Sequence, residues 1–136
     1  MRPELAAEVD EWVRKAETDL GAAEALLRGP RRFPAVAAFL CQQAAEKMLK
    51  AFLTRKETRF ALIHDLRRLC ELCAESEPAF ATLREAAASL TPYAVAVRYP
   101  GRGPDPDDAE AEEALRLAQE VTRLTRERLL LDDGDR

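Results

Sequence analysis

Two long runs of helical periodicity, separated only by a short helix-breaking segment, set the strongest limit on how this chain folds. From Leu5 to Arg28 the apolar residues Leu5, Val9, Trp12, Val13, Ala16, Leu20, Ala23 and Leu27 recur at three- and four-residue steps, with Glu8, Glu11, Arg14, Lys15 and Glu24 between them. That period gathers the apolar side chains on one stripe of an α-helix. Arg28-Gly29-Pro30 closes the run, because glycine accepts the left-handed conformation at a helix end and proline cannot extend the hydrogen-bond ladder. A second run, from Pro34 to about Thr54, carries Val36, Ala37, Leu40, Ala44, Met48, Ala51 and Phe52 along one side. Two such helices joined by a few residues bury their stripes against each other, so a long antiparallel hairpin is expected at the N-terminal end. Gln42, Glu46 and Lys50 follow at four-residue spacing on the polar side of the second run. They read as a solvated stripe in which Glu46 and Lys50 form an exposed i,i+4 pair.

The rest of the chain continues in helices. Arg55 to Ile63 interrupts the pattern, and a shorter helix is expected from His64-Asp65, where the Asp65 carboxylate complements the positive end of the helix dipole. Leu66, Leu69, Cys70 and Cys73 form its buried side. Ser76-Glu77-Pro78 restarts the chain as a further helix with Phe80, Leu83, Ala87 and Leu90 facing inward, and Thr91-Pro92 stops it. Tyr93 to Asp105 is rich in proline and glycine and reads as a structured loop, since its brief alternation finds no partner strand elsewhere. The last helix takes Asp105 as its cap and Pro106 at its first position, has Asp107, Asp108 and Glu110 in the first turn, and runs to about Leu131. The expected fold is therefore all-α, an up-and-down bundle of about five helices forming a single domain over residues 1–131, with 132–136 as a frayed tail.

Composition agrees with one packed domain: in 136 residues, 47% hydrophobic and 34% charged side chains supply both a core and a solvated surface. A formal net charge of −4 excludes a general nucleic-acid coat, so any contact with a nucleotide or RNA must be local. No apolar run approaches the roughly 20 residues needed to cross a bilayer, and no apolar segment follows Met1-Arg2-Pro3-Glu4, so a cytoplasmic protein without membrane insertion is expected. Cys41, Cys70 and Cys73 cannot all pair within one chain and read as reduced, buried thiols. A zinc site would need Cys41 and His64 to converge on Cys70-x-x-Cys73, and neither a metal nor another cofactor is expected.

Read in order, four groups of residues give the chain a family likeness. Trp12 with Asp19-Leu20, Gln43-Ala44-Ala45-Glu46-Lys47 with Lys50-Ala51, His64-Asp65-Leu66, and Arg98-Tyr99-Pro100 resemble the succession of motifs in the HEPN (higher eukaryotes and prokaryotes nucleotide-binding) family. The resemblance spans nearly the whole chain. It implies a helical bundle, commonly a homodimer, often acting beside a small nucleotidyltransferase in a toxin–antitoxin pair. Some members of the family are metal-independent ribonucleases, in which a histidine accepts the 2′-hydroxyl proton and an arginine a few residues earlier stabilises charge on the phosphate.

Arg59-Phe60-Ala61-Leu62-Ile63-His64 meets that spacing and makes Arg59 and His64 the candidate catalytic pair, although Phe60 stands where catalytic members usually carry a polar residue. His64 has a second reading as a residue that hydrogen-bonds the start of the third helix. Arg98 and Tyr99, in the turn-rich loop, are candidates to hold a phosphate and stack on a base, and equally to pair and pack between helices. Lys47 and Lys50 extend such a groove, or belong to a solvated helix face. The resulting expectation is a HEPN module that binds a nucleotide, RNA or a nucleotidyltransferase partner. The alternatives are an endoribonuclease toxin using Arg59 and His64, and a structural dimerisation subunit.

Overall fold

The first helix, α1 (Pro3–Arg28), starts with proline at its first turn and Glu4 beside the positive end of its dipole. In the computed structural model, which describes residues 1–95, 100–101 and 103–134, it buries Val9, Ala16, Ala23 and Leu27 along one stripe. Gly29 ends the helix by donating its backbone N–H to the carbonyl of Ala25 at 3.0 Å. Its backbone is extended, at φ −75° and ψ 172°, and not left-handed as the sequence suggests. The reason is Pro30, whose ring pushes the preceding residue out of helical and into extended conformations. Phe33 then returns a hydrogen bond to Leu26, which turns the chain back into α2 (Pro34–Arg55).

α2 lies at the centre of the bundle, packed against α1, α3 (Leu66–Ser76), α4 (Arg84–Leu90) and α5 (Asp108–Gly134). Small side chains let its neighbours approach closely: Ala16 and Ala23 of α1, Ala37, Ala38 and Ala45 of α2, and Ala111, Ala114 and Ala118 of α5 are all buried in one cluster. Phe52 of α2 and Phe80 meet at the other side of the core with ring centroids 4.6 Å apart. Being surrounded overturns the expectation for the polar stripe, since Gln42, Glu46 and Lys50 are buried and not solvated.

The expected antiparallel hairpin is present, and the later helices differ from expectation at their ends. Asp65 caps α3 by accepting a hydrogen bond from the Arg67 amide at 3.0 Å, which leaves His64 outside the helix. After Glu77 the chain restarts as a 3-10 turn over Pro78–Leu83 before α4, and Thr91–Ala94 forms a second 3-10 turn where a stop is expected. At α5 the cap is Asp107, not Asp105. Asp107 accepts from the Glu110 amide at 2.8 Å while Glu110 accepts from the Asp107 amide at 3.2 Å, a reciprocal capping box that fixes the helix start two residues later. α5 continues to Gly134, beyond the expected end at Leu131, and Asp132 in that last turn pairs with Lys56 at 2.7 Å. No strand occurs among the described residues.

Leu62, in the loop between α2 and α3, has a left-handed backbone at φ 64° and is 92% exposed. The adjacent turn is closed by the Ile63 amide donating to the Phe60 carbonyl at 3.0 Å.

Candidate functional site

The loop from Lys56 to Asp65 folds back along α2 and α1, and its two ends define the site. Phe60 packs edge-on against Trp12 of α1, with centroids 6.0 Å apart and planes at 71°. The Lys50 ammonium lies over both rings, 5.8 Å from Trp12 and 5.6 Å from Phe60, an arrangement in which the negative ring faces attract the cation. Its formal partner is Glu46, one turn earlier on α2, at 2.9 Å. Both side chains are nearly enclosed, at 8% exposure for Lys50 and 11% for Glu46.

Glu46 gathers three donors. Besides Lys50, the Gln42 amide donates to its Oε1 at 3.1 Å, and His64 Nδ1 lies 3.2 Å from its Oε2. Burial alone would push this carboxyl group's pKa up, but the bonds from Lys50, His64 and Gln42 outweigh burial and hold it below the usual carboxylate range. An ionised carboxylate can only accept, so Nδ1 must carry the proton in this hydrogen bond. The imidazole is thus held in one tautomer with Nε2 left for solvent or ligand, and its side chain is 68% exposed. Gln43 completes the chain by donating to Gln42 Oε1 at 2.7 Å, which fixes the orientation of the Gln42 amide.

The residues singled out in the sequence are sorted by this arrangement. Lys50 and His64 come together, through Glu46. Lys47 turns to Asp19 of α1 and is held there in a partly buried ion pair. Arg59 is exposed on the same loop as His64 and makes no ion pair or hydrogen bond among the described residues. Arg98 and Tyr99 lie outside the described residues. His64 bonds to Glu46 of α2 and not to the start of α3, whose cap is supplied by Asp65.

Sequence reasoning missed Glu46 as the centre of the cluster and the Trp12–Phe60 pair as its wall. A signal was present: α2 carries apolar residues on every side, among them Ala37-Ala38, Ala44-Ala45 and Leu49, and a helix apolar all round belongs inside the bundle together with its polar residues.

The three thiols are buried and free. Cys70 Sγ donates to the Phe80 carbonyl at 3.0 Å, and burial pushes its pKa up to about 11 and that of Cys41 up to about 12. The Cys73 thiol is raised further for the same reason. None is poised as a nucleophile. Among the described residues no group of three His, Cys, Asp or Glu side chains is placed to hold a metal ion. No helix among them is long and apolar enough to cross a membrane.

Residues 9–128 match the family model described as the HEPN domain. Two solved structures share the fold. TT1696 from Thermus thermophilus is 32% identical with a TM-score of 0.73, and ST0689, an archaeal HEPN homologue, is 24% identical with a TM-score of 0.72. In each comparison 88% of this chain aligns with 96% of the other. No curated protein matches the chain.

Proposed function

This chain belongs to the HEPN family, and we propose that within it the protein is a cytoplasmic binding module for a nucleotide or RNA, acting as a homodimer in a toxin–antitoxin-like pair with a small nucleotidyltransferase. One observation carries the reading: an exposed imidazole, His64, is anchored to a buried carboxylate, and the same loop carries an exposed arginine, Arg59, that has no ion-pair partner among the described residues. A free guanidinium is a donor for phosphate oxygens, and the anchored imidazole offers Nε2 to a ribose hydroxyl or a base. Lys47 and Lys50 are neutralised by Asp19 and Glu46 and serve chiefly to hold α1, α2 and the loop together. Arg98 and Tyr99 complete the proposed ligand set. Calorimetric titration with nucleoside phosphates and short RNAs tests this. Binding by the wild type that is lost in Arg59→Ala and weakened in Arg98→Ala is expected, and no binding by the wild type removes the ligand from the proposal.

The carboxylate-held histidine also supports a second reading, a metal-independent ribonuclease with His64 as base and Arg59 on the phosphate. That reading requires RNA cleavage in excess chelator that disappears in His64→Ala; cleavage unchanged by that substitution excludes His64 as the base. The enclosed Glu46–Lys50 pair favours a third reading, a structural dimerisation subunit, which predicts a dimer with neither activity.

A further inference from the structure

Between α3 and α4 lies a hollow of about 250 Å³, lined by Arg67 of α3 and by Arg84, Glu85, Ala88 and Ser89 of α4. The α4 residues fall into two pairs one turn apart, Arg84 with Ala88 and Glu85 with Ser89, so one face of that helix forms the wall. Ala88 is exposed and small, which leaves the hollow open.

Donors outnumber the carboxylates around it. Arg84 is exposed and has no ion pair or hydrogen bond among the described residues. Its charge reaches the buried Cys70 thiol of α3, where it opposes the rise that burial causes, so the guanidinium lies near α3. Arg67 has Glu71 at 3.5 Å, but the same side chain also faces Arg68 at 3.7 Å, and these arginines are exposed. Exposed pairs of that length are weak and yield to a better acceptor. Arg67 also stands in the first turn of α3, where the helix dipole repels a cation. The Ser89 hydroxyl, without a hydrogen bond among the described residues, adds a neutral donor. An oxyanion satisfies such a set, since phosphate oxygens accept from guanidinium groups and a hydroxyl together. Glu85 in the same wall accepts a hydroxyl donor, which a ribose supplies beside its phosphate and an acidic peptide does not.

The hollow adjoins the loop that bears Arg59 and His64. Asp65, which follows His64, caps α3 by accepting from the Arg67 amide, so the backbones of His64 and Arg67 are at most about 11 Å apart. A single nucleotide on Arg59 and His64 leaves the hollow unused, whereas a strand carries a further phosphate at each residue. We propose that the hollow is a second phosphate subsite, in which Arg67, Arg84 and Ser89 hold a further phosphate of an RNA strand bound at Arg59 and His64. This rests on the function proposed above and narrows its ligand from a nucleotide or RNA to an RNA strand.

Fluorescence anisotropy with a labelled single-stranded RNA octamer and calorimetry with AMP test it on the full chain. The variants are Arg84→Ala, Ala88→Leu, which fills the hollow without removing charge, and Arg116→Ala, an exposed α5 arginine that controls for net charge. Circular dichroism verifies that each is folded. Octamer binding is expected to weaken at least about fivefold in Arg84→Ala and in Ala88→Leu, with a salt slope shallower by about 0.7 in Arg84→Ala. Arg116→Ala should bind the octamer as the wild type does, and AMP binding should be unchanged in all three. Octamer binding that survives both Arg84→Ala and Ala88→Leu overturns the subsite alone and leaves the function proposed above standing. AMP binding weakened by Arg84→Ala as much as octamer binding overturns the separation into two subsites. Poly-glutamate that displaces the octamer as well as unlabelled RNA does overturns the RNA assignment, as does a wild type that binds AMP and not the octamer. A wild type that binds neither overturns the subsite and the function proposed above together.

Discussion

Removing the Glu46 carboxylate would leave the Lys50 ammonium enclosed with no counter-charge, because the Trp12 and Phe60 rings offer only their weaker attraction. Breaking a buried pair from one side is costly, and Glu46→Gln should lower stability by about 3 kcal/mol in neutral denaturant titrations. His64→Ala should cost less than about 1 kcal/mol, since its ring is largely in solvent, so a loss of ligand binding there would report on the site and not on the fold. The pH dependence of the Glu46 contribution follows from the lowered pKa of the folded protein. Its stabilisation is fully present above the unfolded carboxylate value of about 4.3 and is lost as the pH falls through the lower folded value. The stability difference between wild type and Glu46→Gln should therefore shrink as the pH falls below about 4. A difference that does not shrink as the pH falls below about 4 would contradict the assignment of an ionised Glu46.

Helix ends and helix interiors offer cleaner tests than the core does. Gly21 lies in the middle of α1 on the exposed side, and a methyl group added there meets no atom within 4 Å. Gly21→Ala should raise stability by about 0.5–1 kcal/mol through reduced freedom of the unfolded chain, measured as a shift in the denaturation midpoint at unchanged slope. Asp107→Ala should lower it by about 1 kcal/mol by removing one half of the α5 capping box, whereas Asp105→Ala should have almost no effect. The helices themselves were legible because their periodicity repeats over many residues. Their ends were less so: Asp105 stands before Pro106, a favoured first helical residue, while Asp107 stands three residues before Glu110, and the structure shows that the second pairing sets the start. Gly29 shows the same limit, since the proline after it outweighed the general preference of glycine for a left-handed helix end.

At the scale of the whole molecule, all three thiols are enclosed by packing from different elements, Cys41 on α2 and Cys70 and Cys73 on α3. Their reaction with a thiol reagent should be slow in the native protein and should accelerate with denaturant in step with global unfolding, as monitored by Trp12 fluorescence. Rapid labelling under native conditions would show that the α2–α3 packing opens locally.

The fold class, the hairpin and the buried sides of α1 and α3 were set by local periodicity, a property that a single segment carries wherever it packs. The candidate site was legible only in part: His64, Lys50 and Arg59 stood out by residue type, but their roles did not. Whether Gln42, Glu46 and Lys50 faced water or core depended on how many helices surround α2, and that number belongs to the tertiary structure. Enclosure turned an ordinary i,i+4 pair into the anchor of an exposed histidine, because removing water makes a charge seek every donor within reach.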